Sequence, residues 1–250
     1  MKRNVKLTIR YDGTRYYGWE HQPGEPMTIQ GKLEQVSARM LSLPEGEIPQ
    51  IIGAGRTDAG VHARAMIACF HADTDMTEEE IKRYFNRYLP DDIGIDRVQF
   101  ASPRFHARYN ATGKLYCYSL WTGESKPVFE RRYLTVLGAA PDVEKMRDAA
   151  AHFIGTHDFK SFCANPRMKK STVRTVDEIR LKQEGDILRI YYHGNGFLQN
   201  MVRILTGTLL EVGFSRMESK DIPGIMAALD RKKAGPTAPP EGLCLIRVDY

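Results

Sequence analysis

Cysteine is scarce in this sequence, and no two cysteines stand close together. The 250 residues include four, and none of them forms a CxxC pair. Disulfide frameworks and structural zinc sites use closely spaced ligands, so both are disfavoured. Isolated cysteines are typical of small core residues in a reducing compartment. The four positions are Cys69, Cys117, Cys163 and Cys244.

Long apolar runs are also missing. No stretch approaches the roughly 18 apolar residues of a membrane span. The chain begins with Met1-Lys2-Arg3 but continues into the alternation of Val5, Leu7 and Ile9, which predicts a strand rather than a signal peptide. We therefore expect a cytoplasmic protein without a membrane segment.

Charge of one sign does not dominate. The chain has 36 basic and 31 acidic residues, a net charge of +5 and a pI near 8.9. This balance is compatible with a polyanionic partner but does not demand one, because the distribution of charge matters more than its sum. A hydrophobic content of 42% is enough for a substantial core.

Periodicity predicts strands and helices in both halves of the chain. Thr28 is a predicted N-cap before a helical stripe, and Thr77 to Glu80 forms a predicted capping box. Further predictions are strands near Tyr109–Trp121, Val173–Lys182, Ile187–His193 and Leu243–Val248, helices from Pro141 to Phe153 and from Gln199 to Val212, Gly155 as a helix C′ residue, and a surface loop at Pro236–Pro240. The mixture predicts an α+β fold with helices on one face of a sheet.

The segment from Gly53 to Ala63 carries the most unusual chemistry. Its sequence, GAGRTDAGVHA, places three glycines around Arg56 and Asp58 directly after a predicted strand. One interpretation is a tight turn in which Asp58 binds local amides. A phosphate-binding loop is a second, disfavoured because the lysine and hydroxyl of that motif are absent. A third is a catalytic carboxylate in a nucleic-acid cleft.

The residues from 55 to 62, GRTDAGVH, resemble the signature of the tRNA pseudouridine synthase A family. Five further blocks resemble the family's motifs in the same order, so the resemblance covers the chain from residue 5 to residue 250. They are YDGTRYYGW at 11–19, FHAR at 105–108, KLYCY at 114–118, NGFLQNMVR at 195–203 and EGL at 241–243. Glu20 departs from the pattern, which leads us to expect glutamine there.

The resemblance implies roles for individual residues. Asp58 is the implied catalytic carboxylate, and Arg203, from the other half of the chain, is the implied cation that keeps it ionised. Tyr116 is the implied aromatic face for the uracil, preferred over Tyr118 only by motif alignment. Arg56, Arg108 and Lys114 are expected RNA contacts. His62 and His106 are expected to be structural.

The same resemblance implies the architecture and the partners. Two similar ferredoxin-like or RRM-like halves, 1–104 and 105–250, are expected to form one continuous, mainly antiparallel sheet with a central cleft. The implied substrate is the tRNA anticodon stem-loop at positions 38–40, acted on by a homodimer without cofactor or metal. Ribosomal RNA is the alternative substrate. A non-catalytic RNA-binding or chaperone protein and a nucleotide hydrolase remain the rival functions.

Overall fold

The computed structural model describes residues 1–250. Its backbone contacts divide the chain into two compact units, Met1–Ala111 with Leu245–Tyr250, and Thr112–Cys244. The first contains β1 (Lys2–Tyr11), α1 (Ile29–Met40), β2 (Ile52–Gly53), β3 (His62–Asp73), α2 (Glu78–Tyr88) and β4 (Ile93–Ala101). The predicted division at residues 104 and 105 stays a prediction.

The remaining elements belong to the second unit, except for most of the last strand. They are β5 (Gly113–Trp121), β6 (Thr135–Val136), α3 (Val143–Ala151), β7 (Gly155–Asp158), β8 (Val173–Glu184), β9 (Ile187–Gly194), α4 (Met201–Gly213), α5 (Ile222–Ala228) and β10 (Leu243–Asp249). No helix combines the length and the apolar character that crossing a membrane requires.

The first unit is a sheet covered by two helices. β1 pairs antiparallel with β3 and with β4, β2 pairs with β3, and β10 lies on the other side of β3. Val5, opposite Phe70 in the register, is fully buried, and Phe70 contacts Phe85 of α2 with ring centroids 6.2 Å apart. The alternation that predicted β1 therefore marks its core face.

Both helix starts of this unit were predicted correctly. The Thr28 hydroxyl accepts a hydrogen bond from the Gly31 amide, at 3.2 Å. The Thr77 hydroxyl accepts from the Glu80 amide while the Glu80 carboxylate accepts from the Thr77 amide, which is a complete capping box. These bonds satisfy backbone donors that the first turn of a helix leaves without partners.

The second unit is also a sheet with helices. The order β5-β9-β8-β7 is antiparallel throughout, and β6 adds a short parallel pair to β5. Tyr192 of β9 is fully buried, and its hydroxyl hydrogen-bonds Thr206 of α4 at 2.8 Å. The α+β class and the mainly antiparallel pairing are thus confirmed.

One local prediction was wrong, and two others were correct only in part. The third helix begins at Val143 after the Asp142 N-cap and ends at Ala151, so Gly155 starts β7 and is not a C′ residue. The strand predicted near Tyr109–Trp121 is confirmed from Gly113 onwards as β5, whereas residues 109 and 110 still belong to the preceding turn. The predicted surface loop at Pro236–Pro240 is a loop in which Pro236 and Pro239 are exposed, but Ala238 is only 4% exposed because the segment packs along α4.

Candidate active site

Asp58 lies on an irregular loop between β2 and β3, residues 54–61, which we name the Asp58 loop. Ala54 at its start is fully buried, and the Ala54 amide donates to the carbonyl of Ile67 at 2.7 Å. At its end, the Val61 amide donates to the Asp58 carbonyl at 3.1 Å, and Gly60 has a φ of +79°. The loop is therefore a tight structure in which Asp58 is partly exposed.

A second segment, residues 13–19, packs its backbone against this loop. The Trp19 amide donates to the Thr57 carbonyl at 3.0 Å, and the Gly60 amide donates to the Tyr16 carbonyl at 3.2 Å. Gly18 has a φ of +96°, and a Cβ there would stand 2.6 Å from the Thr57 carbonyl oxygen. The two backbones approach so closely that only glycine fits at position 18.

Buried polar side chains add two ties between the same segments. The hydroxyls of Tyr11 and Thr57 lie 2.8 Å apart in the interior. His62 is 4% exposed, and its Nδ1 accepts a hydrogen bond from the Gly13 amide at 3.0 Å. The same nitrogen lies 3.2 Å from a carboxylate oxygen of Asp12. This geometry supports a structural role for His62.

Arg56 is exposed on the same loop as Asp58. Its guanidinium lies 2.5 Å from a carboxylate oxygen of Glu20, and both side chains are about half exposed, at 60% and 45%. The ion pair was not predicted, although Glu20 was noted as a departure from the family's pattern. The unexpected glutamate could be seen in the sequence, but its contact with Arg56 could be seen only in the structure.

Arg203 lies in the first turn of α4, in the second unit. Its Nε donates to the Ala238 carbonyl at 2.7 Å, and its Nη1 donates to Asn200 Oδ1 at 3.0 Å. The Ala238 amide in turn donates to the Arg203 carbonyl at 3.1 Å. Asn200 and Ala238 thus hold the guanidinium in one orientation, and neither partner was predicted from the sequence.

Tyr116 and Tyr118 share one face of β5 but have different surroundings. Tyr116 is 8% exposed and meets Phe197 edge to face, with ring centroids 5.3 Å apart. The Tyr118 hydroxyl bonds the Pro239 carbonyl at 2.7 Å and Thr135 at 2.8 Å. Burial, more than any neighbour, raises the pKa of Tyr118 far above its usual value. Tyr118 is therefore a neutral core residue.

The other two predicted RNA contacts are Lys114, in the second unit, and Arg108, in the first. Lys114 stands near the start of β5, opposite Gly194 of β9. Arg108 is exposed in a turn that ends before β5 and forms no ion pair. No group of three or more His, Cys, Asp or Glu side chains is arranged to hold a metal ion. All four cysteines are free thiols.

Comparison with known proteins matches the chain to one family. The model of the family described as tRNA pseudouridine synthase matches residues 7–110 and 149–250. The tRNA pseudouridine synthase A 2 of Clostridium perfringens is 43% identical over 249 residues, covering 99% of this chain and 100% of the relative. The tRNA pseudouridine synthase A of Clostridium kluyveri is 40% identical over 248 residues, covering 99% and 100%.

A solved Cbf5-Nop10-Gar1 complex has a TM-score of 0.35 and 12% identity over 97% of this chain and 49% of that chain, too low to support any argument. The family match and the full-length relatives are sufficient by themselves. They span both units and include the Asp58 loop, the start of α4 and the final strand. The chain therefore belongs to the tRNA pseudouridine synthase family, and it is an RNA-modifying isomerase.

Proposed function

We propose that this protein converts uridine to pseudouridine in the anticodon stem-loop of tRNA, at positions 38–40, with Asp58 as the catalytic carboxylate. The observation that carries the proposal is the Asp58 loop itself. Asp58 is partly exposed there, and hydrogen bonds with residues 13–19 hold the loop backbone both before and after it. Such a fixed carboxylate meets the requirement of a reaction that depends on exact placement.

The reaction is an isomerisation. The bond between N1 and C1′ breaks, the uracil turns, and C5 is joined to C1′, after which the C5 proton leaves and N1 carries a proton. Atoms and electrons balance without an oxidant, a reductant or a group donor, so we propose that no cofactor or metal takes part. Asp58 acts either as a nucleophile or as a base that deprotonates the sugar, and both roles need an ionised carboxylate.

The other residues are proposed to assist this carboxylate. Arg203 is the cation that keeps Asp58 ionised, because a guanidinium favours the charged form of a carboxylate. Tyr116 provides the aromatic surface for the uracil after the nucleotide has been turned out of its stack. Arg56, Arg108 and Lys114 are the proposed contacts to RNA. The family resemblance also supports a homodimer that works in the cytoplasm.

Replacement of Asp58 tests the proposal directly. Asp58→Ala should abolish pseudouridine formation in a tRNA transcript, measured as tritium release from [5-³H]uridine, while RNA affinity stays within a few-fold of wild type. Asp91→Asn is a matched control because Asp91 is exposed and forms no ion pair, and it should retain full activity. Turnover by the Asp58→Ala protein would refute the assignment of the carboxylate.

The proposed role of Arg203 has its own test in the pH profile. Removal of the cation in Arg203→Gln should lower the single-turnover rate most at low pH, so that the acid limb of the profile moves towards higher pH. Arg203→Lys keeps a positive charge and should retain most of the acid limb. If both variants lose activity equally at every pH, Arg203 is a structural residue.

The substrate is tested by mapping pseudouridines in cellular RNA with and without this protein. Loss of pseudouridine at tRNA positions 38–40 is the expected result. Loss from ribosomal RNA instead would assign the alternative substrate. If no pseudouridine is lost while tRNA still binds, the non-catalytic RNA-binding function replaces our proposal.

A further inference from the structure

Residues 106–110, which we name the His106 turn, form a closed structure before β5. The Nδ1 atom of His106 accepts hydrogen bonds from the amides of Arg108 and Tyr109, each at 3.2 Å. The His106 amide donates to Asn110 Oδ1 at 2.7 Å, and the Asn110 amide donates to the His106 carbonyl at 3.0 Å. The backbone that carries Tyr109 is thus fixed at both ends.

Tyr109 is presented outward by this turn. Its side chain is 75% exposed, although one face of its ring stacks on the His106 imidazole with centroids 4.1 Å apart and planes 27° apart. The stacking fixes the ring's orientation and leaves its outer face to the solvent. An exposed aromatic ring held in one orientation is the arrangement on which proteins stack nucleobases, because every base has a π face.

The charge around Tyr109 fits a polyanion. Residues 97–123 contain four basic side chains and no acidic one. Arg104 and Arg108, on either side of His106, are exposed and form no ion pair with the protein. Their guanidinium groups differ from that of Arg56, which is held by a carboxylate. Free arginines beside a stacking ring are the electrostatic complement of a nucleic-acid strand.

The His106 turn is anchored to β3 and to Tyr250 within the first unit. The Ala107 amide donates to Cys69 Sγ at 3.3 Å, and the Tyr250 hydroxyl donates to the Ala107 carbonyl at 2.7 Å. Cys69 and His62 are seven residues apart on β3, on the order of 20 Å at the rise of a strand. No residue of the His106 turn belongs to the Asp58 loop, so we take a nucleotide on Tyr109 to be a different one from the nucleotide that reacts at Asp58.

We propose that the His106 turn is a second RNA-binding site, where a base away from the target uridine stacks on the outer face of Tyr109. The adjoining phosphates bind Arg104 and Arg108. The proposal rests on the proposed function, because it takes the RNA substrate as the ligand, and it adds a contact that anchors this substrate. Since no group of the turn takes part in the proposed chemistry, the site should contribute to RNA binding and not to the rate of isomerisation.

The test uses the full chain and an unmodified tRNA transcript. Tyr109→Ala should weaken binding roughly tenfold, measured by fluorescence anisotropy, while the single-turnover rate at saturating RNA stays at the wild-type value. Tyr109→Phe keeps the ring and should bind within about twofold of wild type. Tyr88→Ala is the matched control, because Tyr88 already packs against Tyr84 and Arg39 and offers no open face.

A salt titration tests the arginines in the same assay. The double variant Arg104→Gln, Arg108→Gln should reduce the slope of log affinity against log salt by about 1.5. The proposal fails if Tyr109→Ala binds tRNA as wild type does, or if Tyr109→Phe is as weak as Tyr109→Ala. It also fails if Tyr109→Ala changes the oligomeric state in sedimentation, which would make the turn a contact between copies. A wild-type protein that binds tRNA through Tyr109 but forms no pseudouridine would refute only the proposed function.

Discussion

The Asp58 loop and the start of α4 hold their functional side chains in opposite ways. In the Asp58 loop the backbone is irregular, and a second backbone, residues 13–19, fixes it by hydrogen bonds. At the start of α4 the helix fixes the backbone, and Asn200 and Ala238 orient the Arg203 side chain. An irregular loop therefore needs hydrogen bonds from a neighbouring backbone segment to define its shape, whereas a helical residue needs neighbours only to orient its side chain.

Both regions nevertheless depend on glycines where two backbones touch. Gly18 allows the 13–19 segment to approach Thr57. In the second unit, a Cβ on Gly207 would stand 1.8 Å from the Pro236 carbonyl oxygen, so the segment that holds Arg203 can reach α4 only because residue 207 has no side chain. Replacement of either glycine by alanine should therefore disturb the functional side chain nearby, Asp58 in the first case and Arg203 in the second.

The largest expected effect is that of Gly207→Ala. The methyl group would overlap the Pro236 carbonyl and push the Gly235–Ala238 segment away from α4, which should lower the free energy of unfolding by about 3 kcal/mol. Urea denaturation measures the change. Gly224→Ala on α5 is the control, since nothing lies within 4 Å of the added methyl, and it should be neutral or stabilising by up to about 1 kcal/mol. Equal stability of the two variants would contradict the packing argument.

Gly18→Ala should have the next largest effect. The added methyl would meet the Thr57 carbonyl, and alanine would be strained at the observed φ, so we expect a loss of about 2 kcal/mol in unfolding free energy. Gly24→Ala separates the two causes because Gly24 has a φ of +78° but open space around it, and it should lose only about 1 kcal/mol. Gly18→Ala should also lose activity at temperatures where it is fully folded, because Thr57 adjoins Asp58.

The features that could be predicted from the sequence are those made by residues close together in the chain. The Asp58 loop was predicted because its glycines, arginine and aspartate are adjacent, and the helix caps were predicted because capping is local. One partner of Arg203 was not predictable, since it is the backbone carbonyl of Ala238, a group that every residue has, 35 residues away. The strand predicted near Tyr109–Trp121 begins later, at Gly113, because residues 109 and 110 close the His106 turn through side-chain bonds that a periodic pattern does not reveal.

The hydrogen bond between Tyr11 and Thr57 provides a smaller, side-chain test of the first region. Tyr11→Phe removes one partner of a buried bond and should lower the unfolding free energy by about 1 kcal/mol. Thr57→Val should lower the unfolding free energy by a similar amount. The double variant should lose less than the sum of the two single losses, because each single variant leaves one buried hydroxyl without its partner and the double variant leaves none. Thermal denaturation of the three proteins measures this coupling, and strict additivity would show that the hydroxyls contribute independently.

The smallest expected effect concerns the exposed end of the Asp58 loop, where Glu20 binds Arg56. RNA must compete with this carboxylate for the guanidinium, so Glu20→Gln should strengthen tRNA binding by about two- to fivefold at low salt. Glu79→Gln removes the same charge from the exposed pair with Arg83 and controls for net charge. Anisotropy titrations at two salt concentrations compare the variants. An equal gain for both variants would mean that repulsion between the RNA and the protein's acidic residues in general, and not the release of Arg56, determines the affinity. Glu20 would then have no specific effect on RNA binding by the Asp58 loop.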